Sequence, residues 1–570
     1  MNFKIFVSTF LLACLLVAST PVALSYTPPT EELSFPMMVL GWDEWSVAAG
    51  GVIADQLEAI GIKIEVQPTD DAVMYPALDT RDYGIAEMSI GFEAVPMHIH
   101  DYFHSRTDVY GGYNYWSFHN DTMDEVIDEL LGTVDRSKLK ELIWEAQRIA
   151  AENVPFVPLF LADDVHAIRK EWTGYTVMLS GPFSWFNRLT PVNMYATDGK
   201  TKFVMAYNRD PETLSPMAAS TGRSMFYSIL VYDSLLAYNE ELELIPWLAE
   251  DWSVSADGKT LTFHIRPGVE WHDGQPLTSE DVAFTFEYIQ EKEAPEFPFI
   301  IELLDSVETP DDLTVVVHLT KSFAWALDTF GTAYIIPKHI WEGQPYDWVI
   351  TNSTEAVGSG PFKYDSRIEG EWIKLVKNPN YWMEGKPKIE EFTLRVITEE
   401  SARLMAIKAG EADTERYSVE PPHIAEVLEW PEVKVTRAAD IWDYDLFLNN
   451  KSPPFNDTQV RKAIAYAINR TEIVKIAALG YGTIEESYMP SAVYGELENP
   501  DAKLPIYDPD MANQILDEAG YIDIDGDGIR EFPRAAPPTP IWPYAAAGLV
   551  IAAVVVVGVY VVVKRRRAAP

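Results

Sequence analysis

The sequence predicts an α/β protein that contains more than one sheet. Segments with apolar residues at helical spacing alternate along the chain with segments in which apolar and polar residues alternate. The chain has 570 residues, of which 47% are hydrophobic and 12% aromatic. That length and composition allow two or three domains with a substantial core. No repeat of short period is visible.

The helices and strands of this pattern follow one another from end to end. Helical spacing predicts helices over Val52–Ile60, Leu139–Ala151, Ser279–Glu291, Thr458–Ala467 and Asp510–Ala519. Alternation or a short apolar run predicts strands over Ile62–Val66, Phe156–Leu161, Thr260–Arg266, Val315–Leu319 and Phe392–Ile397. Pro158 indicates that its strand lies at a sheet edge or contains a bulge. The polar, turn-rich stretch Pro191–Lys202 is typical of a connection between two segments.

The first 25 residues have the features of a secretory signal peptide. Lys4 precedes the apolar run Ile5–Val17, and small residues at Ala23-Leu24-Ser25 provide a cleavage site. The single cysteine of the chain, Cys14, lies inside this leader. The secreted part would therefore contain no disulfide and no thiol chemistry.

The other end of the chain predicts a membrane anchor. Residues 545–563 are uncharged and long enough to span the hydrocarbon layer as a helix. They follow a proline-rich spacer, residues 535–544, and precede a basic tail, residues 564–570. Because basic residues stay on the cytoplasmic side, we expect a single-pass protein of the cell membrane whose globular part is extracellular and whose C-terminus is cytoplasmic.

The charge of the chain limits its partners. The formal net charge is −43, which argues against nucleic acid because phosphate binding requires clustered lysine and arginine. An acidic surface fits solubility outside the cell and also fits attraction of cations or amines.

A series of motifs resembles one family closely. In chain order they are Leu248–Trp252, Asp257–Lys259, Phe263–Val269, His272–Thr278, Glu280–Val282, Gly358–Phe362, Asn378–Trp382, Gly410–Asp413, Leu448–Asn450, Pro453–Asp457, Val460–Ala463, Tyr507–Pro509 and Leu516–Tyr521. They resemble the signature of the extracellular solute-binding proteins of family 5, which serve ABC importers of peptides, nickel or oligosaccharides. The resemblance implies a two-lobed periplasmic-binding-protein-like fold with an extra subdomain. It also implies a monomer without cofactor that delivers a solute to permease and ATPase subunits.

The order of the matching pieces predicts circular permutation. Residues 201–534 resemble the N-terminal part of the family, whereas residues 26–200 resemble its C-terminal part. The C-terminal features are Phe35–Leu40, Gln56–Ile62 and Glu145–Leu159. Because the two segments complement each other without duplication, we expect them to form one binding domain. A fusion of two incomplete proteins is the alternative.

The resemblance places candidate ligand-binding residues in three stretches. They are Ser220, Thr221 and Met225; Trp442 and Tyr444; and Trp42, Trp45, Phe92 and Glu93. Tryptophan and tyrosine offer a flat apolar face and a polar edge to a sugar ring or a peptide side chain. The alternative for each aromatic residue is packing in the core, since the chain contains 17 tryptophans.

One position departs from the pattern of peptide-binding relatives. Those relatives carry an aspartate that pairs with the α-amino group of the peptide, and Val95 stands at that position here. A buried ammonium group without a partner is costly. Oligosaccharides are therefore an alternative ligand class to peptides, and Glu93 is the nearest acid that could replace the aspartate.

Two further stretches contain residue types that bind metals, but we assign no metal ligand. His98, His100 and His104 are close in sequence, and imidazole suits nickel. Asp523–Gly528 matches the start of a calcium loop, but Arg534 stands where a bidentate glutamate is required, and Glu531 compensates only in part.

The chain contains no HExxH, GxSxG or GxxxxGK motif, and we assign no catalytic residue. The predicted function is therefore solute capture for an ABC importer. A membrane-bound sensor or adhesion protein that reuses the fold is the alternative, and a hydrolase with an uncommon site is a third.

Overall fold

The computed structural model describes residues 32–92, 94–346, 348 and 356–533. The elements up to residue 200 are β1 (Ser34–Leu40), α1 (Glu44–Glu58), β2 (Lys63–Thr69), α2 (Asp71–Thr80), β3 (Ile85–Gly91), α3 (His98–Phe103), α4 (Asp121–Gly132), α5 (Arg136–Asn153), β4 (Phe156–Arg169), β5 (Trp172–Thr173), α6 (Leu189–Asn193) and β6 (Tyr195–Ala196).

The elements after residue 200 are more numerous and include most of the antiparallel strands. They are β7 (Lys202–Tyr207), α7 (Gly222–Val231), β8 (Leu236–Tyr238), β9 (Leu244–Pro246), β10 (Ala249–Val254), β11 (Thr260–Ile265), α8 (Ser279–Glu291), α9 (Pro298–Leu303), β12 (Leu304–Asp311), β13 (Thr314–Leu319), α10 (Ala326–Gly331), α11 (Lys338–Trp341), β14 (Phe362–Ile368), β15 (Trp372–Lys377), β16 (Glu391–Val396), α12 (Glu400–Ala409), β17 (Thr414–Glu415), α13 (Pro421–Val427), β18 (Val433–Leu448), α14 (Thr458–Ala467), α15 (Arg470–Ala477), β19 (Gly482–Ile484), α16 (Ser491–Tyr494) and α17 (Pro509–Ala519).

A six-stranded mixed sheet organises the first lobe, in the order β19-β4-β18-β3-β1-β2. Strand β1 runs parallel to β2 and β3, and β18 runs antiparallel to β3 and β4. Helix α1 packs on this sheet because Ala49, Ile53 and Leu57 recur at helical spacing and are buried. Strands from both ends of the chain therefore share one sheet and one core.

Two further sheets organise the second lobe. One has five strands in the order β14-β15-β16-β7-β17, and the other has four antiparallel strands in the order β10-β11-β13-β12. On β11 the alternate residues Leu261, Phe263 and Ile265 are buried, as the alternation predicts. Helix α8 begins with a capping box between Thr278 and Asp281.

Strands β4 and β18 are long enough to run through both lobes. They pair from Phe156 to Leu161 within the six-stranded sheet and again from Asp163 to Arg169 towards the second lobe. The ladder is irregular between Ala439 and Asp443. On the far side of this interruption, the hydroxyl of Thr414 donates to the carbonyl of Ala167 at 2.9 Å, which ties β4 to β17.

The helices and strands named from the sequence are confirmed, but their bounds differ by up to eight residues, since α1 begins at Glu44 rather than Val52 and β4 ends at Arg169 rather than Leu161. The sequence left open whether the strand of Pro158 lies at a sheet edge or contains a bulge. The structure has a bulge, because β4 lies between β18 and β19 and its register shifts at this point. The stretch Pro191–Lys202 is more ordered than a polar connection suggests. It begins inside α6, and Val192 and Met194 are buried.

Several predictions concern residues outside the described ranges. The signal peptide (1–25), the spacer (535–544), the transmembrane helix (545–563), the cytoplasmic tail (564–570) and Glu93 all belong to this group. Within the ranges that the structure describes, no helix has the length and apolar character needed to cross a membrane.

Candidate functional site

A cavity of about 390 Å³ lies where the two segments of the chain meet. Its volume falls within the range of small-molecule binding sites. The lining is predominantly aliphatic and aromatic, with a few polar groups. It consists of Ala94, Val95, Met97, Trp185, Phe186, Arg188, Pro216, Ala219, Met225, Ile229, Leu236, Ala237, Tyr238, Glu296, Phe297, Pro298, Phe299, Ile300, Asp328, Thr329, Thr332, Ala333 and Tyr334.

Short connections and helix termini position most of this lining. The stretch from Ala94 to Met97 links β3 to α3, and Trp185 to Arg188 precede α6. On α7, Met225 and Ile229 are four residues apart, so both side chains lie on the face that borders the cavity. The rigid sheets thus place loops from distant parts of the sequence around one space.

The acidic groups of the cavity are held in a weakly polar environment. Burial raises the pKa of Asp328 to about 6, although the hydroxyl of Tyr238 donates to its carboxylate at 3.0 Å. Burial also raises the pKa of Glu296. Both carboxyl groups are therefore easier to protonate than an exposed acid.

Among the described residues that line the cavity there is one arginine, Arg188, and the protein already engages it. The Nη1 atom of Arg188 donates to the carbonyl of Tyr232 at 2.6 Å, and its guanidinium lies 5.3 Å from the centre of the Tyr334 ring. A mostly apolar space with a few fixed polar groups is suited to holding an organic solute.

Two positions singled out in the sequence line this cavity. Met225 was a candidate ligand-binding residue, and Val95 was the position at which peptide-binding relatives carry an aspartate. Val95 is therefore next to the space where a solute would lie, and it offers no charge there. Ligand contact by Met225 stays a prediction.

Tyr444 lies in the core of the first lobe, and the partly buried Trp45 packs against that core. The ring of Tyr444 stacks on Phe160 and on Trp45, with centroid distances of 4.6 and 5.7 Å. Its hydroxyl donates to Asp43 at 3.0 Å, and its side chain is buried. Core packing, the alternative stated for the aromatic candidates, accounts for this arrangement.

The other aromatic candidates lie outside this core. Trp42 is 65% exposed and its indole N–H donates to Asp71 at 2.6 Å. Trp442 is 47% exposed and covers the backbone of Gly91. Phe92 is buried and packs with its edge towards His98.

The two polar candidates lie at the start of α7. Ser220 is exposed, and Thr221 is the N-cap of the helix, where its hydroxyl accepts from the amide of Ser224. Neither residue is part of the cavity lining, and their contact with a ligand stays a prediction.

Several residues of the cavity were not found from the sequence. They are Trp185, Phe186, Arg188, Glu296, Asp328 and Tyr334. The available signal was the aromatic pair Trp185-Phe186 close to an arginine, just before the turn-rich connection. Nothing in the spacing of Asp328 or Glu296 distinguishes them from the many other acids of the chain.

The histidines His98, His100 and His104 do not converge on one point. Nδ1 of His98 hydrogen-bonds to the hydroxyl of Tyr494, and burial lowers the pKa of His98 to about 3. Nδ1 of His100 contacts Asp101 at 2.6 Å, and Nε2 of His104 contacts Asp128 at 3.3 Å. The rings of His100 and His104 lie 5.7 Å apart, and Arg106 donates to both, from Nε to Nε2 of His100 at 2.9 Å and from its amide to Nδ1 of His104 at 3.1 Å.

Three other groups of side chains bring potential ligand atoms within 4.8 Å of one another in the described residues. They are Glu400, Glu420 and His423; Asp443, Asp445 and Glu485; and Asp523, Asp525 and Asp527. The last group belongs to the calcium-like loop, where Glu531 accepts the amide of Ile524 at 2.8 Å and closes the turn. The second group is completely buried.

Comparisons with known proteins identify the family. An ABC transporter peptide-binding protein of Brucella ovis is 29% identical over 55% of this chain and 58% of its own length. A glutathione-binding protein of Pectobacterium atrosepticum is 27% identical over 56% of this chain and 61% of its own. The crystal structure of the periplasmic oligopeptide-binding protein of Thermotoga maritima is 24% identical, with a TM-score of 0.49, over 60% of this chain and 66% of that one.

The match therefore spans less than two thirds of the curated relatives' own length. By name these relatives bind solutes and are not enzymes, in line with the prediction that the chain has no catalytic site. The sequence profile described as bacterial extracellular solute-binding proteins, family 5 Middle, matches residues 243–565. Because that profile covers more than half of the chain, the protein belongs to family 5 of the bacterial extracellular solute-binding proteins.

Proposed function

We propose that this protein captures an extracellular solute and delivers it to the permease and ATPase subunits of an ABC importer. The observation that carries this proposal is the apolar cavity, whose walls come from both segments of the chain. Family membership supports it. A space bordered by several connections can close around a solute when the lobes move, provided that the solute prefers the closed form.

The lining favours a peptide with apolar side chains over an oligosaccharide. Aliphatic and aromatic residues such as Met97, Phe186 and Phe299 dominate the walls. A sugar, in contrast, requires many polar partners for its hydroxyl groups. The names of the Brucella and Pectobacterium relatives, which refer to a peptide and to glutathione, agree with this choice. Val95 stands where peptide-binding relatives carry an aspartate, and Glu296 and Asp328 are the acids that border the cavity instead.

Filling the cavity tests this function. In Met225→Trp the larger side chain would occupy space that the solute needs, so we expect peptide affinity to fall by at least about tenfold. Met511→Trp is the matched control, because Met511 is 38% exposed on α17 and should tolerate the same change. Thermal shift and calorimetric titration of the detergent-solubilised full chain against di- to tetrapeptides rich in Leu and Phe provide the measurement. Unchanged affinity in a folded Met225→Trp protein would place the solute elsewhere.

The same proposal includes circular permutation of the family fold. Strand β18, from the second segment, lies between β3 and β4 of the first segment, so the two segments share one hydrogen-bonded sheet. An alignment that follows both chains in the same order can match only one of two exchanged segments. Matches over 55% and 56% of this chain support such an exchange. Exchange of segments is tolerated when the original termini lie close together at the surface.

We also infer that the binding domain is tethered to the outer face of the cell membrane as a monomer. The support is the uncharged run 545–563 with the basic residues that follow it. Retention in the membrane fraction after high-salt washing, with release by detergent, tests the tether. Light scattering of the solubilised protein tests the monomer.

A further inference from the structure

Three buried acids meet in the first lobe. Asp443 and Asp445 lie two residues apart on β18, so their side chains share one face of the strand. Glu485 directly follows β19, and β4 lies between that strand and β18. Potential ligand oxygens of the three carboxylates lie within 4.8 Å of one another, and each residue is at most 1% exposed. The sheet thus gathers three acids, the buried triad, around one point.

Most oxygens of the buried triad have no partner within the described residues. Both oxygens of Asp445, both of Glu485 and Oδ1 of Asp443 are buried and accept no hydrogen bond. Two carboxyl groups can bond to each other only when one of them carries a proton. Buried carboxylates in this condition are costly unless something neutralises them.

The two other groups of potential metal ligands are already engaged by the protein. In the calcium-like loop, the amide of Gly526 donates to Asp523 at 2.7 Å. In the remaining group, the amide of Glu420 donates to one oxygen of Glu400 at 2.8 Å, and Nδ1 of His423 contacts the other oxygen at 2.8 Å. Among these three groups, the buried triad is therefore the one whose ligand atoms lack partners.

The charge around the triad calls for a divalent cation. Among the residues that the structure describes, no Lys, Arg or His nitrogen lies within 4.0 Å of its oxygens. Arg470 attracts Glu485 over a longer distance, and it donates instead to the carbonyls of Pro158 and Pro505 at 2.7 and 3.0 Å. Three carboxylates and this one guanidinium leave two negative charges. None of the three acids lines the cavity, so a solute held there does not supply the missing charge.

The chemistry of the ligands favours calcium. Carboxylate oxygens suit Ca²⁺, Mg²⁺ and Mn²⁺ better than they suit nickel, copper or zinc. Oxygens that bind Ca²⁺ at about 2.3–2.6 Å lie at most about 5 Å apart, and the spacing in the triad meets this limit. Three carboxylates that each bind through two oxygens supply about six ligands, which is enough for Ca²⁺. Mg²⁺ keeps several of its waters, for which a fully buried site is poorly suited.

We propose that Asp443, Asp445 and Glu485 bind one calcium ion in the first lobe. The ion would join β18 to the chain after β19 across the intervening strand β4. Because β19 has only three residues and lies at the edge of the sheet, such a tie would hold an edge strand that few ladder hydrogen bonds support. In the metal-free protein, protons neutralise the triad instead. The site is separate from the cavity and does not depend on the proposed function.

Metal content and thermal stability test the site. The detergent-solubilised full chain is purified without chelator, desalted and analysed by plasma mass spectrometry. It is then stripped with EDTA and melted with Ca²⁺, Mg²⁺ or Mn²⁺ at equal millimolar concentration. We expect about one retained equivalent of calcium per chain. We also expect Ca²⁺ to raise the melting temperature by about 3–5 °C, more than Mg²⁺ does, because an ion that binds only the folded state stabilises it.

Two variants remove one ligand each and keep the shape of the side chain. In Asp445→Asn and in Glu485→Gln, calcium affinity should fall by more than the roughly 10- to 100-fold that loss of an outer-shell partner costs. The retained calcium should be absent from both, and the second variant serves if the first does not fold. Asp525→Asn is the matched control, because it removes a carboxylate from the calcium-like loop and should leave both readouts unchanged.

Three results would overturn the proposal. If the natural protein retains no calcium and Ca²⁺ does not raise its melting temperature, the triad holds protons alone. If calcium is lost in Asp525→Asn but kept in Asp445→Asn and Glu485→Gln, the ion belongs to the exposed loop. If Mg²⁺ or Mn²⁺ stabilises the natural protein more than Ca²⁺ does, the choice of calcium is wrong.

Discussion

At the scale of single residues, Tyr444 and Trp442 show how neighbours on one strand differ in surroundings. Tyr444 is 7% exposed and stacks on Phe160, whereas Trp442 is 47% exposed on the backbone of Gly91. Both were candidates because the resemblance to the family places ligand-binding residues in this stretch of the chain. Their side chains belong to different environments, so their truncation should have different costs.

We expect Tyr444→Ala to lower the free energy of unfolding by about 3–5 kcal/mol, because it removes a buried ring and leaves Asp43 without its hydroxyl partner. Trp442→Ala should cost less than about 1 kcal/mol, because half of the indole is already in contact with water. Guanidinium unfolding followed by circular dichroism measures both values. Equal costs would contradict the different burial of the two side chains.

At the scale of elements, β18 brings three carboxyl groups into the core. Asp443 and Asp445 lie on β18, and Glu485 directly follows β19. Burial raises the pKa of Asp443 and Asp445 well above the usual range and raises that of Glu485 to about 8, and the neighbouring acids add to the shift of both aspartates. The folded protein therefore holds protons here that the unfolded chain releases above about pH 4 to 4.5.

The direction of the pH dependence follows from these raised pKa values. Below about pH 4 the three carboxyl groups are protonated in both the folded and the unfolded protein, so they change the free energy of unfolding little. As pH rises towards about 8 the unfolded state ionises first, so the free energy of unfolding falls by about 1.4 kcal/mol per pH unit for each retained proton. Asp445→Asn removes one titrating group and should make the fall between pH 5 and pH 8 shallower.

Denaturant unfolding at several pH values in the presence of EDTA measures this slope. Asp55→Asn is the control, because Asp55 is exposed on α1 and should leave the slope close to that of the natural protein. The same slope in Asp445→Asn and in the natural protein would show that the buried acids do not retain their protons.

At the scale of the whole molecule, the two segments depend on one sheet. Phe35 on β1 and Leu446 on β18 are buried in the same core, although they are separated by most of the chain. Neither segment can form the six-stranded sheet by itself, because β18 fills the position between β3 and β4. The binding domain should therefore unfold as one unit.

We expect guanidinium unfolding of the full chain to give coincident transitions by tryptophan fluorescence and by far-UV circular dichroism. Phe35→Ala and Leu446→Ala should each shift that single transition, with costs of roughly 2–5 kcal/mol. Two separate transitions, with each variant affecting a different one, would show that residues 26–200 and 201–534 form independent domains.

The sequence by itself determined the class of elements, their order and the family. Apolar periodicity is a local property, so helices such as Thr458–Ala467 and strands such as Thr260–Ile265 could be named without knowing their neighbours. Motifs such as those from Leu248 to Val282 indicated family 5, and the comparison over residues 243–565 supports that family. The expectation that the two segments stand in inverted order also came from the sequence, and circular permutation is a proposal.

Only the tertiary structure decided which residues face the cavity. Met225 was found from its position after β7, but Asp328, Trp185 and Phe299 lie apart in the sequence and border one space only through the packing of loops and helices. An aromatic or charged side chain carries no local signal that separates a site from a core, because that difference depends on which elements surround it. Tyr444 and Asp328 illustrate both sides of this limit: the first stacks on other rings in a core, and the second borders the cavity.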